Sequence, residues 1–259
     1  MERWLPETIG SVKSQSLTDW ECIIVDDGST DGSESIARSL VAEDDRFQII
    51  SQENKGVAHA RNTGIAASHG KYLLLLDSDD LISPDYLQLA VKTLEEHPDL
   101  NLVYGKAERF GTRKDWNDLP AFDMGTMLER NCLYVSCVFR RADYDLTDGF
   151  DPSFSTGFED WDFWLSLAEA AGGTLNVHCL QQTCFYYRTR RGSRNSLIDR
   201  NNMQEVRKKL WEKHKPLYSL HFPDPLESVE YQYLKRSFDK AARWSLVWKL
   251  RLLYRRLSR

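Results

Sequence analysis

Tyr72-Leu73-Leu74-Leu75-Leu76-Asp77-Ser78-Asp79-Asp80 is the stretch whose reading decides the fold. Five apolar residues stopped abruptly by polar ones read as a buried strand. The carboxyl end of such a strand is where open α/β sheets bind their ligands. Three carboxylates crowded there repel one another and need a cation. Mg²⁺ or Mn²⁺ suits oxygen ligands of this kind, and such ions also take phosphate oxygens. A solvated acidic turn would use the same residues, so the neighbouring stretches must decide.

Outward from this point the same grammar repeats. Cys22-Ile23-Ile24-Val25 is a short apolar run that ends in Asp26-Asp27-Gly28, and Phe47-Gln48-Ile49-Ile50 is another. Residues 33–43 place Ile36, Leu40 and Val41 on one helical face. Residues 5–15 read as a helix with Pro6 in its first turn, where a missing N–H is tolerated. Residues 56–68 read as an alanine-rich helix. Ser83 is expected to cap a helix opened by Pro84, with Leu87, Val91 and Leu94 at helical spacing. Residues 100–104 read as a fourth strand. Strand alternating with helix over short joints predicts an α/β sandwich with a mostly parallel sheet. After residue 105 the rhythm changes. Residues 134–140 and 174–187 read as longer strands around a helix at 159–171. The pattern predicts one α/β domain over residues 1–199 and a helical, basic extension over 200–259.

The 259 residues are 41% hydrophobic and 28% charged, with a net charge of −5. These values fit a globular domain and exclude little about partners. No apolar stretch is long enough for a membrane span. The start Met1-Glu2-Arg3-Trp4-Leu5-Pro6 lacks the apolar region of a signal peptide, so a cytoplasmic location is expected. Five cysteines without a CxxC pair are expected to be reduced, buried thiols.

Four further constellations carry chemistry. In Val25-Asp26-Asp27-Gly28-Ser29-Thr30-Asp31-Gly32 a carboxylate can accept hydrogen bonds from a base or ribose. An Asp-Gly turn would use the same residues, and Asp31 suits a capping role. In Asn54-Lys55-Gly56 followed by Ala60-Arg61-Asn62-Thr63-Gly64, the helix start favours anions and Arg61 can reach a diphosphate bidentately. A surface arginine is the plainer alternative. Gly157-Phe158-Glu159-Asp160-Trp161-Asp162-Phe163-Trp164 joins three carboxylates to a dense aromatic group. Asp160 or Glu159 can act as a general base with a pKa set by burial, and Trp161 can stack on a sugar ring. A helix start enriched in acids, with Phe163 and Leu167 in the core, accounts for the same pattern. Finally, Arg188, Arg190, Arg191 and Arg194 fall within seven residues on a Gly/Ser-containing loop. They can close over a phosphate-bearing ligand or form a solvated basic loop.

Five segments occur in a telling order: Trp20 to Asp31, Asn54-Lys55-Gly56, Ala60 to Gly64, Leu76 to Asp80, and Phe158-Glu159-Asp160. Together they resemble the family 2 glycosyltransferases of the GT-A fold, over about residues 3–196. The resemblance implies a Rossmann-type α/β/α sandwich. It implies inverting transfer of a sugar from a nucleotide-diphospho-sugar, expected to be UDP-linked. Asp27, with Asp26 alongside, would contact the nucleotide base, and Arg61 would lie near the diphosphate. Asp77 and Asp79 would form the DxD pair that holds Mn²⁺ or Mg²⁺, with Asp79 the direct ligand. Asp160 would deprotonate the acceptor hydroxyl, with Glu159 and Trp161 on the acceptor side. Arg188 and its neighbours would belong to the loop over the donor. The implied acceptor is a growing glycan or a lipid-linked oligosaccharide of a cell-envelope polysaccharide.

The chain departs from the family pattern in two places. It opens at the first helix, so the usual central first strand is expected to be absent. It also carries Arg190 and Arg191 where many relatives have a histidine. No Gln-x-x-Arg-Trp motif occurs, which argues against a processive synthase. The rival reading is a catalytically inactive GT-A domain that binds nucleotide-sugar or serves as a scaffold. A nucleotidyltransferase would want a glycine-rich basic N-terminal loop that this chain lacks.

From Tyr231 to Arg259 nine Lys/Arg face one acid, Asp239, with Trp244, Trp248, Leu252 and Leu253 interleaved. Such a helix can lie peripherally on an anionic membrane surface, or pack its aromatic side on the domain. No nucleic-acid recognition motif accompanies the charge, so no nucleic-acid partner is expected.

Overall fold

The computed structural model describes residues 1–112, 119–155, 157–190 and 200–223. α1 (Leu5–Lys13), β1 (Cys22–Asp27), α2 (Ser33–Val41), β2 (Phe47–Gln52), α3 (Val57–Ala67) and β3 (Tyr72–Leu74) alternate as predicted. There follow β4 (Leu81–Ile82), α4 (Tyr86–Glu96), β5 (Leu102–Gly111), α5 (Met124–Glu129) and β6 (Val138–Arg140). The described chain closes with α6 (Arg141–Tyr144), α7 (Glu159–Ala170), β7 (Val177–Thr189), α8 (Arg200–Lys213) and α9 (Lys215–His221).

Three local expectations are corrected. β3 stops at Leu74, so Leu75 and Leu76 already belong to the turn that carries the acids. The strand expected over 134–140 shrinks to Val138–Arg140. One cause is that the Ser136 carbonyl accepts from the Tyr86 hydroxyl at 2.7 Å instead of from a strand partner. Ser83 does not cap α4. Asp85 precedes the helix without a side-chain bond, while the Ser83 carbonyl accepts from Tyr86 N–H and from Gln15 Nε2. The predicted basic helix over 231–259 lies outside the described residues.

The layers follow from period-two alternation along the strands. Val103 and Val138 face α4, where they pack with Tyr86, Ala90 and Leu94. Their chain neighbours Leu102 and Phe139 face the other way, onto Met127, Trp161, Trp164, Leu210 and Leu217 of α5, α7, α8 and α9. Helices therefore cover both faces of a five-stranded sheet of order β3-β6-β5-β7-β4. β1 and β2 form a separate two-stranded sheet, covered by α1 and α2 through Leu5, Ile9, Ala37 and Val41.

The sheet directions refine the expectation of a mostly parallel sheet. β1 and β2 are parallel over six residue pairs, and β5 and β7 over ten. The β3–β6, β5–β6 and β4–β7 pairs are short and antiparallel. Beyond residue 105 the chain no longer alternates strand with crossover helix, and antiparallel pairing needs no such crossover. Among the described residues no strand joins β1 to β3, and the apolar residues Cys22 to Val25 of β1 stay half-buried, as do Asp26 and Asp27.

Candidate active site

The acidic end of β1, the acidic turn that follows β3 and the start of α7 supply the candidate groups. Asp27 ends β1 and clamps the segment that leads into α3. Its carboxylate accepts from Gln52 Nε2 (2.7 Å), Lys55 N–H (2.9 Å) and Gly56 N–H (2.8 Å). Gly28 follows with φ +72°, and a Cβ there would stand 2.9 Å from the Asn54 nitrogen, so only glycine permits this approach. Asp26 accepts a longer bond from Ser29 N–H (3.3 Å). Asp31 does bond the start of α2, through Ser33 N–H and its hydroxyl.

Arg61 on α3 brings two distant acids together. One nitrogen donates to Asp77 (2.9 Å) beyond β3, and the other donates to Glu159 (2.8 Å) at the start of α7. Its side chain is 9% exposed and Glu159 4%, so that pair is sheltered from water, whereas Asp77 is 36% exposed. Burial opposes its charge, yet Asp77 and Glu159 hold its pKa above the ordinary arginine value. Its neighbour Asn62 ties α3 to the chain before α7, donating to the Phe150 carbonyl (2.7 Å) and accepting from Phe150 N–H (2.9 Å).

α7 opens from Phe158, whose φ of 68° is left-handed. A bulky residue there costs on the order of 1–3 kcal/mol, and packing elsewhere must hold it. The strained entry presents Glu159 and Asp160 together. Asp160 is half-buried; Asn131 Nδ2 donates to it at 3.2 Å and Trp161 N–H at 2.8 Å. Desolvation and the adjacent Glu159 carboxylate push the Asp160 pKa up to about 6, against the pull of Arg61. A carboxylate poised there can take a proton near neutral pH.

Three sequence expectations are corrected here. Trp161 is 1% exposed, and its indole N–H donates to the Met127 carbonyl (2.7 Å). Its ring is core, so it offers no platform to a sugar. Arg188 is buried between Trp4 (4.4 Å) and Phe110 (4.3 Å). Its side chain donates to the Asp79 carbonyl (2.7 Å) and to Glu7 (2.9 Å), and its N–H to Asp80 (2.7 Å). These donors are spent on holding the acidic turn in shape. Asp80 lies buried beneath that turn, and desolvation with Asp77 and Asp79 nearby pushes its pKa up to about 9. Glu159, expected on the acceptor side, is the buried counter-ion of Arg61.

The side chain that reaches Asp79 is instead Arg190, with Nε donating to Oδ2 at 2.7 Å. Its place in an arginine-rich loop was visible in the sequence, but its partner was not. Asn131 beside Asp160 and Glu7 beside Arg188 carried no sequence signal. Asp77 and Asp79 fit a metal that completes its shell with phosphate oxygens, because Mg²⁺-type sites use one or two carboxylates rather than a full protein cage. Among the described residues no group of three His, Cys, Asp or Glu is placed to hold an ion.

An acidic turn after the edge strand β3, an Asp-Gly turn after β1 and a carboxylate of raised pKa at the start of α7 are the chemical features of this α/β domain. The Glycosyl transferase family 2 model matches residues 2–165, and the chain belongs to that family. It is similar to glycosyltransferase GlyG of Streptococcus pneumoniae, 35% identical over 104 residues, covering 40% of this chain and 34% of that protein. It is also similar to chondroitin synthase of Escherichia coli, 30% identical over 171 residues, covering 64% of this chain and 25% of that protein. The chain thus spans a quarter to a third of the length of these curated relatives. Two solved structures share the fold. S. aureus TarS in complex with UDP has a TM-score of 0.63 at 18% identity, over 87% of this chain and 70% of that one. The mannosyltransferase PcManGT of Pyrobaculum calidifontis, in complex with GDP-Man and Mn²⁺, has a TM-score of 0.63 at 17% identity, over 98% and 76%. Among the described residues no helix is long and apolar enough to cross a membrane.

Proposed function

We propose that this chain transfers a sugar, with inversion, from a nucleotide-diphospho-sugar to a hydroxyl of a glycan or lipid-linked acceptor in cell-envelope polysaccharide synthesis. The observation that carries the reading is the Arg61 bridge. It draws Asp77, on the acidic turn, and Glu159, beside the poised Asp160, to opposite nitrogens of one guanidinium. This bridge supports a reading in which donor groups and base act around one point.

Asp160 is the base that accepts the acceptor hydroxyl's proton as that oxygen attacks the anomeric carbon. Asp27 and Asp26 border the nucleotide end. Asp79, with Asp77, would hold Mn²⁺ or Mg²⁺, which offsets charge on the departing diphosphate. Arg61 keeps the carboxylates from repelling one another apart. UDP is the favoured carrier, in keeping with the TarS complex. The basic segment 231–259 would supply peripheral contact with the membrane face where lipid-linked acceptors lie.

The test is calorimetric titration of UDP into the chain with and without Mn²⁺, followed by donor turnover. Metal-dependent binding that Asp79→Ala abolishes, with turnover lost in Asp160→Asn, is the expected result. Binding without turnover would move the protein to the second reading, an inactive nucleotide-sugar-binding domain; the separation of β1 from the larger sheet is the feature that favours it. A folded chain that binds neither UDP nor GDP would refute both.

A further inference from the structure

Both carboxylates of the Asp77/Asp79 pair carry an arginine, but the two arginines are held differently. Arg61 is 9% exposed and lies 5.4 Å from the Phe150 ring. It cannot leave Asp77 without also disturbing Glu159, whose side chain is 4% exposed. Arg190 is 34% exposed, sits one residue past the end of β7, and bonds Asp79 through Nε. Asp79 is itself 15% exposed, so water and ions can reach it. The turn's backbone does not depend on Arg190, because Arg188 holds the Asp79 carbonyl and Thr8 donates to the Ser78 carbonyl (3.1 Å).

We propose that Arg190 is the resident counter-cation of Asp79, and that a divalent ion binds by displacing it. Guanidinium and metal compete for the same Oδ2 atom. The inference rests on Asp79 being the metal ligand in the function proposed above. It explains why an acidic turn can stay compact without an ion. It also implies a direction of coupling. The displaced guanidinium becomes free to pair with an anion that arrives with the ion, such as a diphosphate. Metal and nucleotide diphosphate would then each favour the other's binding through this one side chain, since coupling between two sites is reciprocal.

The experiment measures Mn²⁺ alone first, by the loss of the free-ion paramagnetic resonance signal, in wild type, Arg190→Ala, Arg190→Lys and Arg190→Ala/Asp79→Asn. A partly exposed ion pair opposes the metal by a small free energy, so Arg190→Ala is expected to tighten Mn²⁺ binding about two- to fivefold. Arg190→Lys, which keeps a charge, should stay near wild type, and the double variant should lose the ion. UDP is then titrated at saturating Mn²⁺ and without it. The gain in UDP affinity from Mn²⁺ should be smaller in Arg190→Ala than in wild type. A merely structural Arg190 would weaken Mn²⁺ binding or leave it unchanged on removal, and either result overturns the proposal. So does the absence of Mn²⁺ binding in wild type and Arg190→Ala alike. Tighter Mn²⁺ binding in Arg190→Ala with no UDP binding in any variant supports the exchange while counting against the UDP reading.

Discussion

Replacing Arg61 with leucine removes a group that touches both halves of the site. The side chain is 9% exposed, and Glu159, its partner on α7, is 4% exposed. Leucine restores part of the volume but removes the guanidinium that Glu159 meets at 2.8 Å in a buried setting. Breaking a buried pair by deleting one partner costs about 3–5 kcal/mol. Asp77 is 36% exposed, so water compensates it and adds little to that cost. In a domain of this size each kcal/mol moves Tm by about 2–4 °C, which puts the expected drop at roughly 10 °C. The loss also carries a pH signature. Arg61 is the cation that pulls Asp160 down against Glu159, so its removal drives Asp160 further toward the protonated form. The deficit should therefore shrink as pH falls toward 4.5, where protons do part of the arginine's work. Arg61→Lys should fall between the two, since one ammonium cannot span two carboxylates on separate elements. Denaturant unfolding of the three proteins at pH 7.5 and 4.5 measures this. A loss under about 1 kcal/mol for Arg61→Leu that does not change with pH would refute the reasoning.

Two further outcomes follow from the same geometry. The Asp160 pKa is raised from 3.8 to about 6 in the folded protein, so the folded state holds that proton more tightly than the unfolded one. Its contribution favours folding at low pH and is lost as pH rises from about 4 through about 6. Asp160→Asn should therefore raise Tm at pH 7.5, match wild type near pH 4 and abolish turnover; a variant less stable at pH 7.5 would contradict the shift. On the far side of α7, His214 is fully buried against Asp162 at 3.0 Å, and Lys213 also reaches Asp162 at 2.8 Å. His214→Leu should cost about 2 kcal/mol through the unpaired carboxylate oxygen, with partial recovery in His214→Gln. Unchanged denaturant midpoints would show that Lys213 alone satisfies Asp162.

Much of the fold was legible because strands and helices here alternate with clear apolar periods. β1, β2, α1, α2, α3 and α7 fall within a few residues of their predicted spans, since each is defined by local pattern. β3 and β6 are shorter than expected because strand length depends on finding a pairing partner, and the Tyr134 and Ser136 carbonyls accept bonds from the Cys137 thiol and the Tyr86 hydroxyl instead. The acidic residues of the site were also visible, since Asp-Gly and Asp-Ser-Asp-Asp at strand ends are local signals. The arginines were visible as residues but not as roles. Arg188 looked like a ligand contact and is a buried brace, whereas Arg190 reaches the acid. They lie two residues apart, and only the packing of Trp4 and Phe110 around Arg188 separates them. Trp161 failed as a sugar platform for the same reason: an aromatic at a helix start reads alike whether it faces solvent or core.

The amino-acid sequence by itself determined the α/β class, the alternation of elements from α1 to β3 and the three acidic stations at residues 26–27, 77–80 and 159–160. These are properties of short segments, set by periodicity, turn chemistry and the junction of apolar runs with carboxylates. Tertiary structure alone decided which charges meet. Arg61 finds Glu159 from 98 residues away, and Arg190 finds Asp79 from 111. Such pairings depend on the placement of whole elements, because an ion pair forms only within a few ångströms and no local pattern encodes that distance.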